Sequence, residues 1–381
     1  MPRLRYNALL LFAWLLVMPT GHSFAASKGK LYSDGTLIGE VLEVKSELGK
    51  GGYSDVYEVS FRDPQGHVLK KALKEFKPSI HSSTIEDIQE SWALLEPTRA
   101  EDKESVLSHG IAGLKLISED PHHAPSVSQV VLVELANGSA QSAAPSLKLN
   151  PRHPYFGAKL EVALRYKRDI LSAITLLSSH GLAHGDIKPE NVLYTTRPGF
   201  DFEKPDISKL HFSLSDFDTL AHIGQLQRVH TEGYAPPELV VDDMERASAS
   251  RDLYSHAVAV HTLMFGDHPF EKHFKALKGS AATPAQFEAE LYNIFDNPRL
   301  YNEYIKSIDE RFNDLQNQLK TKVDEEHLKE LHEFVINGLK LNPHERLAAF
   351  PEIKNRLQRY AEAQRNCSRS ILNRLNRLYH D

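Results

Sequence analysis

Four groups of residues have the types and spacing to do chemistry on phosphate. The first is the turn Gly49-Lys50-Gly51-Gly52-Tyr53-Ser54-Asp55-Val56, bracketed by strand-like alternation. Small residues there let backbone N–H groups approach phosphate oxygens without obstruction from a Cβ. The second is Ala72-Leu73-Lys74, an ammonium on a rigid strand, with Glu90 on the helix that follows as its candidate ion-pair partner. Glu86 and Glu96 are rivals for that role. The third is His184-Gly185-Asp186-Ile187-Lys188-Pro189-Glu190-Asn191, and the fourth is Ser215-Asp216-Phe217-Asp218 at the end of an apolar run. Carboxylate and amide oxygens of this kind are hard donors.

Taken together, these segments resemble the eukaryotic-type (Hanks-type) serine/threonine protein kinases. His184 to Asn191 is similar to that family's H-R-D-x-K-x-x-N loop, with Gly185 in place of arginine. The resemblance implies that Asp186 orients an acceptor hydroxyl and takes its proton, and that Lys188 supports the transferring phosphoryl group. It assigns Asn191 and Asp216 to magnesium. It makes Gly49, Gly51, Gly52, Ser54, Val56, Ala72, Lys74, Glu90, Glu134 and Ala136 the surroundings of ATP. Ser54 stands where a third glycine is customary, and Asp218 where the family has the glycine of D-F-G. Thr231 to Glu238 looks like the family's T-x-x-Y-x-A-P-E segment. By the same resemblance Glu238 pairs with Arg346, Asp252 clamps the loop backbone, and Thr231 packs against the loop.

The elements that must position these residues are legible in outline. Alternating apolar residues predict strands over 41–48, 56–61, 69–76, 113–117 and 129–135, with Asp63-Pro64-Gln65-Gly66 as a turn. Ser83-Thr84-Ile85-Glu86 is a capping-box pattern that opens a helix through Trp92 and Leu95. Residues 27–40 read as a lead-in and the Ala/Ser/Pro-rich stretch 138–154 as a linker with a loop. Leu164, Leu171, Ile174 and Leu177 mark one face of a long helix, and most later segments are helical in pattern. The expectation is an α+β, two-lobed protein-kinase-like fold: an antiparallel five-stranded sheet lobe with one helix (about 42–137), then a larger helical lobe (about 138–350). Residues 351–381 form a basic helical tail.

Bulk properties narrow the function classes. The 381-residue chain carries 25% charged and 41% apolar residues, which is ordinary for a globular protein. Arg3 and Arg5 precede an apolar run from Ala8 to Met18 and then Ser23-Phe24-Ala25-Ala26, the layout of a secretory signal peptide over residues 1–25. Its removal moves the formal charge from −6 to −8, which argues against nucleic acid as a partner. The one cysteine, Cys367, excludes an intramolecular disulfide. The arginines of the tail, among them Arg356, Arg365 and Arg374, alternate with leucines; a solvated helix packed on the lobe is the preferred reading over a membrane contact.

The expected function is therefore Mg-dependent transfer of the ATP γ-phosphoryl group to Ser/Thr hydroxyls of a protein substrate, by a secreted enzyme. An exported kinase needs either a secretory compartment that contains ATP or delivery into another cell. Two rivals remain: a small-molecule phosphotransferase of the aminoglycoside or choline kind, which also uses an H-G-D loop, and a pseudokinase scaffold. Lys188-Pro189-Glu190-Asn191 and Arg346 speak against the first, and the joint presence of Lys74, Asp186, Asn191 and Asp216 against the second.

Overall fold

The computed structural model describes residues 28–33, 36–50, 53–62, 66–118, 127–227, 231, 233–240, 246–270, 284–319 and 321–380. The leader-like segment and the glycines Gly51 and Gly52 lie outside them. The described residues divide into two compact units, one holding those up to Gln89 and those of His109–Leu135, the other Glu90–Ser108 and those from Ala136 onward.

The first unit is a closed antiparallel sheet. Its strands are β1 (Lys28–Ser33), β2 (Thr36–Lys50), β3 (Ser54–Arg62) and β4 (Val68–Phe76), then, after helix α1 (Ser82–Ala93) and α2 (Leu95–Glu101), β5 (Gly110–Ser118) and β6 (Val127–Glu134). They run in the order β1-β2-β3-β4-β6-β5. Period-two alternation puts Leu42, Val59, Leu73, Leu114, Val130 and Leu132 into one cluster, with Val44, Tyr57 and Phe61 against it. Opposite-facing residues of the same strands then share the other surface. Among the described residues the sheet has six strands rather than five. The sixth is β1, inside the expected lead-in, and it pairs with both β2 and β5. Lys-Gly-Lys-Leu-Tyr-Ser has no alternation to reveal it; backbone pairing, which sequence pattern does not record, makes it a strand.

The second unit is mainly helical. α3 (Ala140–Leu147) precedes α4 (Phe156–Ser179), and α5 (Pro237–Val240) and α6 (Ala249–Phe265) follow further on. α6 is buried nearly all round, as its apolar composition requires. Ser248 caps its start by accepting the Arg251 N–H, and Gly266, at φ +76°, ends it in the left-handed region. Helix α3 corrects the linker expected over 138–154. Ser139 accepts the Ser142 N–H as its N-cap, and Ala140, Ala143 and Leu147 are buried along one face. Pro145 sits inside it and hides the helix from sequence reading, since the lost hydrogen bond is offset only by that tertiary burial.

Short strands finish the frame. β7 (Gly138–Ser139), β9 (Val192–Thr196) and β10 (Leu210–Leu214) form one sheet in the order β10-β9-β7, while β8 (Leu182–Ala183) pairs with β11 (Ala221–His222). The segment 184–191 runs from β8 to β9, and the segment 215–220 runs from β10 to β11. Antiparallel pairing of those strands brings the two segments side by side. The remaining helices are α7 (Pro284–Phe295), α8 (Pro298–Gln316), α9 (Lys322–Gly338), α10 (Pro343–Ala348) and α11 (Pro351–His380). No helix among the described residues is long and apolar enough to cross a membrane.

Candidate functional site

In the sheet unit five of the predicted residues share one surface, while Glu134, paired with Lys71, stands on the other. Gly49 pairs with Val56, and Val56 with Lys74, across β2, β3 and β4. Ala72 and Ser54 lie two residues from these partners, so all five are on the face opposite the apolar cluster. A register shift between Glu47 and Gly49 marks a bulge at the turn, the kind of irregularity that re-aims a strand end. A Cβ at Gly49 would meet nothing within 4 Å, so the approach to its backbone is open. Glu134 ends β6, exposed, with its carboxylate 3.8 Å from Lys71.

In the helical unit, Glu90 is exposed on the last turn of α1 and Ala136 half-buried after β6. Asp186, Lys188 and Asn191 come together there, and Ser215, the residue before Asp216, is bonded to Asn191. Asp252, near the start of α6 and 1% exposed, anchors the loop: its carboxylate accepts the His184 N–H and the Gly185 N–H, each at 2.8 Å. Burial pushes the Asp252 carboxyl up, and these contacts with the loop oppose the shift. His184 is fully buried; its Nε2 lies 2.9 Å from the Ser215 carbonyl, and its Nδ1 accepts the Asp186 N–H at 3.2 Å. With Nδ1 accepting, the proton sits on Nε2 and is donated to Ser215.

Asp186 is held through both oxygens. Oδ2 accepts from Lys188 Nζ at 2.7 Å and Asn191 Nδ2 at 3.0 Å, and Oδ1 accepts from the Thr231 hydroxyl at 2.6 Å. Lys188 Nζ also donates to Thr231 Oγ1 at 2.6 Å, closing a ring of three side chains. Asn191 Nδ2 reaches the Asp186 carbonyl at 2.8 Å as well. The Ser215 N–H and hydroxyl both donate to the Asn191 carbonyl, at 2.8 and 2.9 Å, which ties the neighbour of Asp216 to the loop. Asp216 itself stands at φ +62°, one of two non-glycine residues described in the left-handed region. Such backbone costs about 1–2 kcal/mol and persists where surrounding contacts impose it.

The donor set fits magnesium and a polyphosphate. Asn191 donates its side-chain N–H to the Asp186 carbonyl and carboxylate, so its side-chain oxygen is the atom that would hold a magnesium ion. No cluster of three or more metal-binding side chains of His, Cys, Asp or Glu occurs among the described residues. Magnesium takes one or two protein carboxylates and fills its shell with phosphate and water oxygens.

The supporting contacts follow the expected pattern. Arg346, fully buried, grips Glu238 through two bonds of 2.8 and 3.2 Å and also donates to the Lys340 carbonyl. Two residues that sequence reading missed complete the site. Gln227, buried, donates to the Thr219 carbonyl at 2.7 Å and the Ala183 carbonyl at 3.3 Å. It fills the space over Gly185, whose φ is +86°; a Cβ there would run into the Gln227 amide. Trp92 donates its indole N–H to Asp218 at 3.0 Å. Neither pairing carries a sequence signal, because the partners are 42 and 126 residues apart and only folding brings them together.

The sequence profile of the protein kinase domain matches residues 42–357. Human calcium/calmodulin-dependent protein kinase type 1B is 28% identical over 242 residues, covering 61% of this chain and 59% of that protein. CBL-interacting protein kinase 22 of Oryza sativa subsp. japonica is 27% identical over 258 residues, covering 64% and 52%. The chain thus spans little more than half the length of these curated relatives. With the profile covering most of its length and the loop, metal-binding and Glu238–Arg346 segments in matching order, the chain belongs to the protein kinase domain family.

Proposed function

We propose that this protein is a serine/threonine protein kinase that transfers the γ-phosphoryl group of ATP to a hydroxyl of a protein substrate. The reading rests on one observation above the rest: the Asp186 carboxylate, fixed by Lys188, Asn191 and Thr231, beside the Asn191–Ser215 link to Asp216. When bound, Mg-ATP supplies the phosphoryl group and neutralises the charge that builds on the leaving diphosphate. Asp216 and Asn191 are assigned to hold the metal. Lys74, on the sheet face with Val56 and Ala72, is assigned to the phosphates.

Asp186 aligns the acceptor. Its carboxylate receives the hydroxyl proton as the oxygen–phosphorus bond forms, and the bridging oxygen–phosphorus bond of ATP breaks in line. Lys188, bound to Asp186, is assigned to neutralise negative charge on the oxygens of the moving phosphoryl group. Lysine in that position, together with the Thr231 contact, supports Ser/Thr acceptors over small aminoglycoside or aminoalcohol hydroxyls. Full-length protein incubated with labelled ATP and magnesium, with generic proteins, aminoglycosides and aminoalcohols in parallel, tests this. Label in protein is expected; label confined to the small molecules makes the chain a small-molecule phosphotransferase, and label in neither makes it a scaffold.

The reading includes activity without phosphorylation of the segment between Asp218 and Pro236. Thr219 and Thr231 are the Ser/Thr hydroxyls there. The first donates to the His184 carbonyl at 2.7 Å and the second to Asp186 at 2.6 Å. Gly185 offers no side chain to grip a phosphate, and Gln227 already fills that space with neutral hydrogen bonds. Equal initial rates before and after phosphatase treatment are expected. Loss of activity on treatment refutes it.

Export through residues 1–25 belongs to the same proposal. It rests on the Arg-flanked apolar run and the Ala25-Ala26 site. N-terminal sequencing of protein recovered outside the cytoplasm is expected to begin near Ala26, and an intact Met1 in that fraction would refute cleavage.

A further inference from the structure

The aspartate at 218 and the tryptophan at 92 explain one another. Trp92 is 2% exposed, and its indole N–H meets the Asp218 carboxylate at 3.0 Å. The same ring lies edge-on to Phe217, with centroids 5.4 Å apart and planes at 89°. Phe217, fully buried, packs in turn on His184 at 5.4 Å and 68°. The Arg99 guanidinium stands 5.4 Å from the Trp92 ring. One side chain of α1 therefore holds both residues that follow Asp216: the first through ring packing and the second through a hydrogen bond to a charged acceptor.

Asp216 is the residue with something to hold. Its φ of +62° is strained for any residue with a Cβ, and the turn Phe217–Thr219 begins immediately after it. A residue two positions on that is pinned to a buried indole restricts the backbone from relaxing out of that region. Glycine at 218 would offer no acceptor and would free the turn.

We propose that Trp92 is a positioning residue for Asp216, acting through Asp218, so that the metal-binding carboxylate is presented in one fixed conformation by a side-chain latch on α1. This rests on the kinase reading for what Asp216 does, but the latch itself does not depend on it. Because α1 also carries Glu90, two residues before Trp92, the latch sets that helix and the metal-binding segment in one register.

The test uses the full chain and reads catalysis and conformation separately. Trp92→Phe keeps the ring packing and removes the N–H; Asp218→Ala removes the acceptor; Asp218→Asn keeps an acceptor oxygen. The magnesium concentration for half-maximal transfer is expected to rise about tenfold in Trp92→Phe and Asp218→Ala, the scale of losing a hydrogen bond to a charged group. The double variant is expected to be no worse than either single one, and Asp218→Asn to stay near the parent. Additive losses, or an unchanged magnesium requirement in folded Trp92→Phe, overturn the proposal.

The second arm needs no turnover. The chain has two tryptophans, so Trp14→Phe leaves Trp92 as the sole indole. In that background Asp218→Ala is expected to red-shift the emission and raise acrylamide quenching without nucleotide or metal, while Asp218→Asn does neither. Unchanged emission and quenching in Asp218→Ala overturn the latch. Should Trp92→Phe fail to fold by circular dichroism, the Asp218→Ala and Asp218→Asn pair decides. A wild-type chain that transfers no phosphate removes the kinase reading, and this fluorescence arm still judges the latch.

Discussion

Three side-chain donors on one carboxylate make Asp186 a group whose position is fixed before any substrate arrives. Preorganisation of that kind matters because most of the catalytic gain in phosphoryl transfer comes from alignment and charge neutralisation. Asp186→Asn keeps the size and most of the hydrogen-bonding geometry but cannot accept the proton. It is expected to lower turnover by about 10²–10⁴-fold, the usual worth of a general base, with ATP affinity changed far less. Steady-state kinetics beside nucleotide titration check this, and unchanged turnover would point to a different base. Gly185 makes a second test at this scale. Its φ of +86° and the Gln227 amide above it leave no room for a Cβ. Gly185→Ala is expected to destabilise the loop, read as a lowered Tm, and Gln227→Ala in the same chain to relieve the steric part only, since the backbone strain remains.

Helix-to-helix ties decide how firmly the second unit holds its loops. Glu238 and Arg346 join α5 to α10, with Arg346 fully enclosed. Removing one partner leaves an uncompensated buried charge, so Arg346→Leu is expected to cost about 3–5 kcal/mol, while Glu238→Gln with Arg346→Met recovers part of it. Thermal or denaturant unfolding reads both. Glu330 on α9 is a pH-sensitive tie of a different kind. Its carboxylate accepts from Arg168 at 2.6 and 3.0 Å and from Lys167 at 2.9 Å on α4, and these contacts pull its pKa down from 4.5 to about 2. A depressed carboxyl contributes stability above the unfolded value and loses it as pH falls through the folded one. Glu330→Gln is therefore expected to lower Tm at neutral pH, by a margin that shrinks as pH falls from 4.5 toward 2. The site is partly exposed and salt-screened, so the margin is small.

At the scale of the whole chain, buried histidines add a further acid response. His256, packed among Tyr166 and Phe334, has its pKa lowered from 6.5 to about 3 by burial. His261 is lowered as well, by burial and by the neighbouring Arg311. The unfolded chain binds these protons first, so stability is full above pH 6.5 and declines as pH falls toward 3. A thermal-unfolding series across that window checks it, and a flat Tm would show that these rings are not buried neutral. The order of the loop, the Asp216 segment and the Glu238 and Arg346 pair was visible without coordinates. Less readable were elements whose stability is not local. α3 forms around Pro145 because Ala140, Ala143 and Leu147 are buried, and β1 exists because β2 and β5 leave backbone groups to pair.

Sequence alone determined which residues are available for phosphate chemistry, and their order along the chain, because residue type fixes charge, ligand hardness and backbone freedom. Period-two and period-3.6 burial likewise wrote most strands and helices into it. Only the tertiary structure decided what stands beside two of the three departures from the family pattern. Gln227 covers Gly185 and Trp92 binds Asp218. Contacts between residues so distant along the chain depend on helix and strand packing as a whole, and no local pattern encodes them.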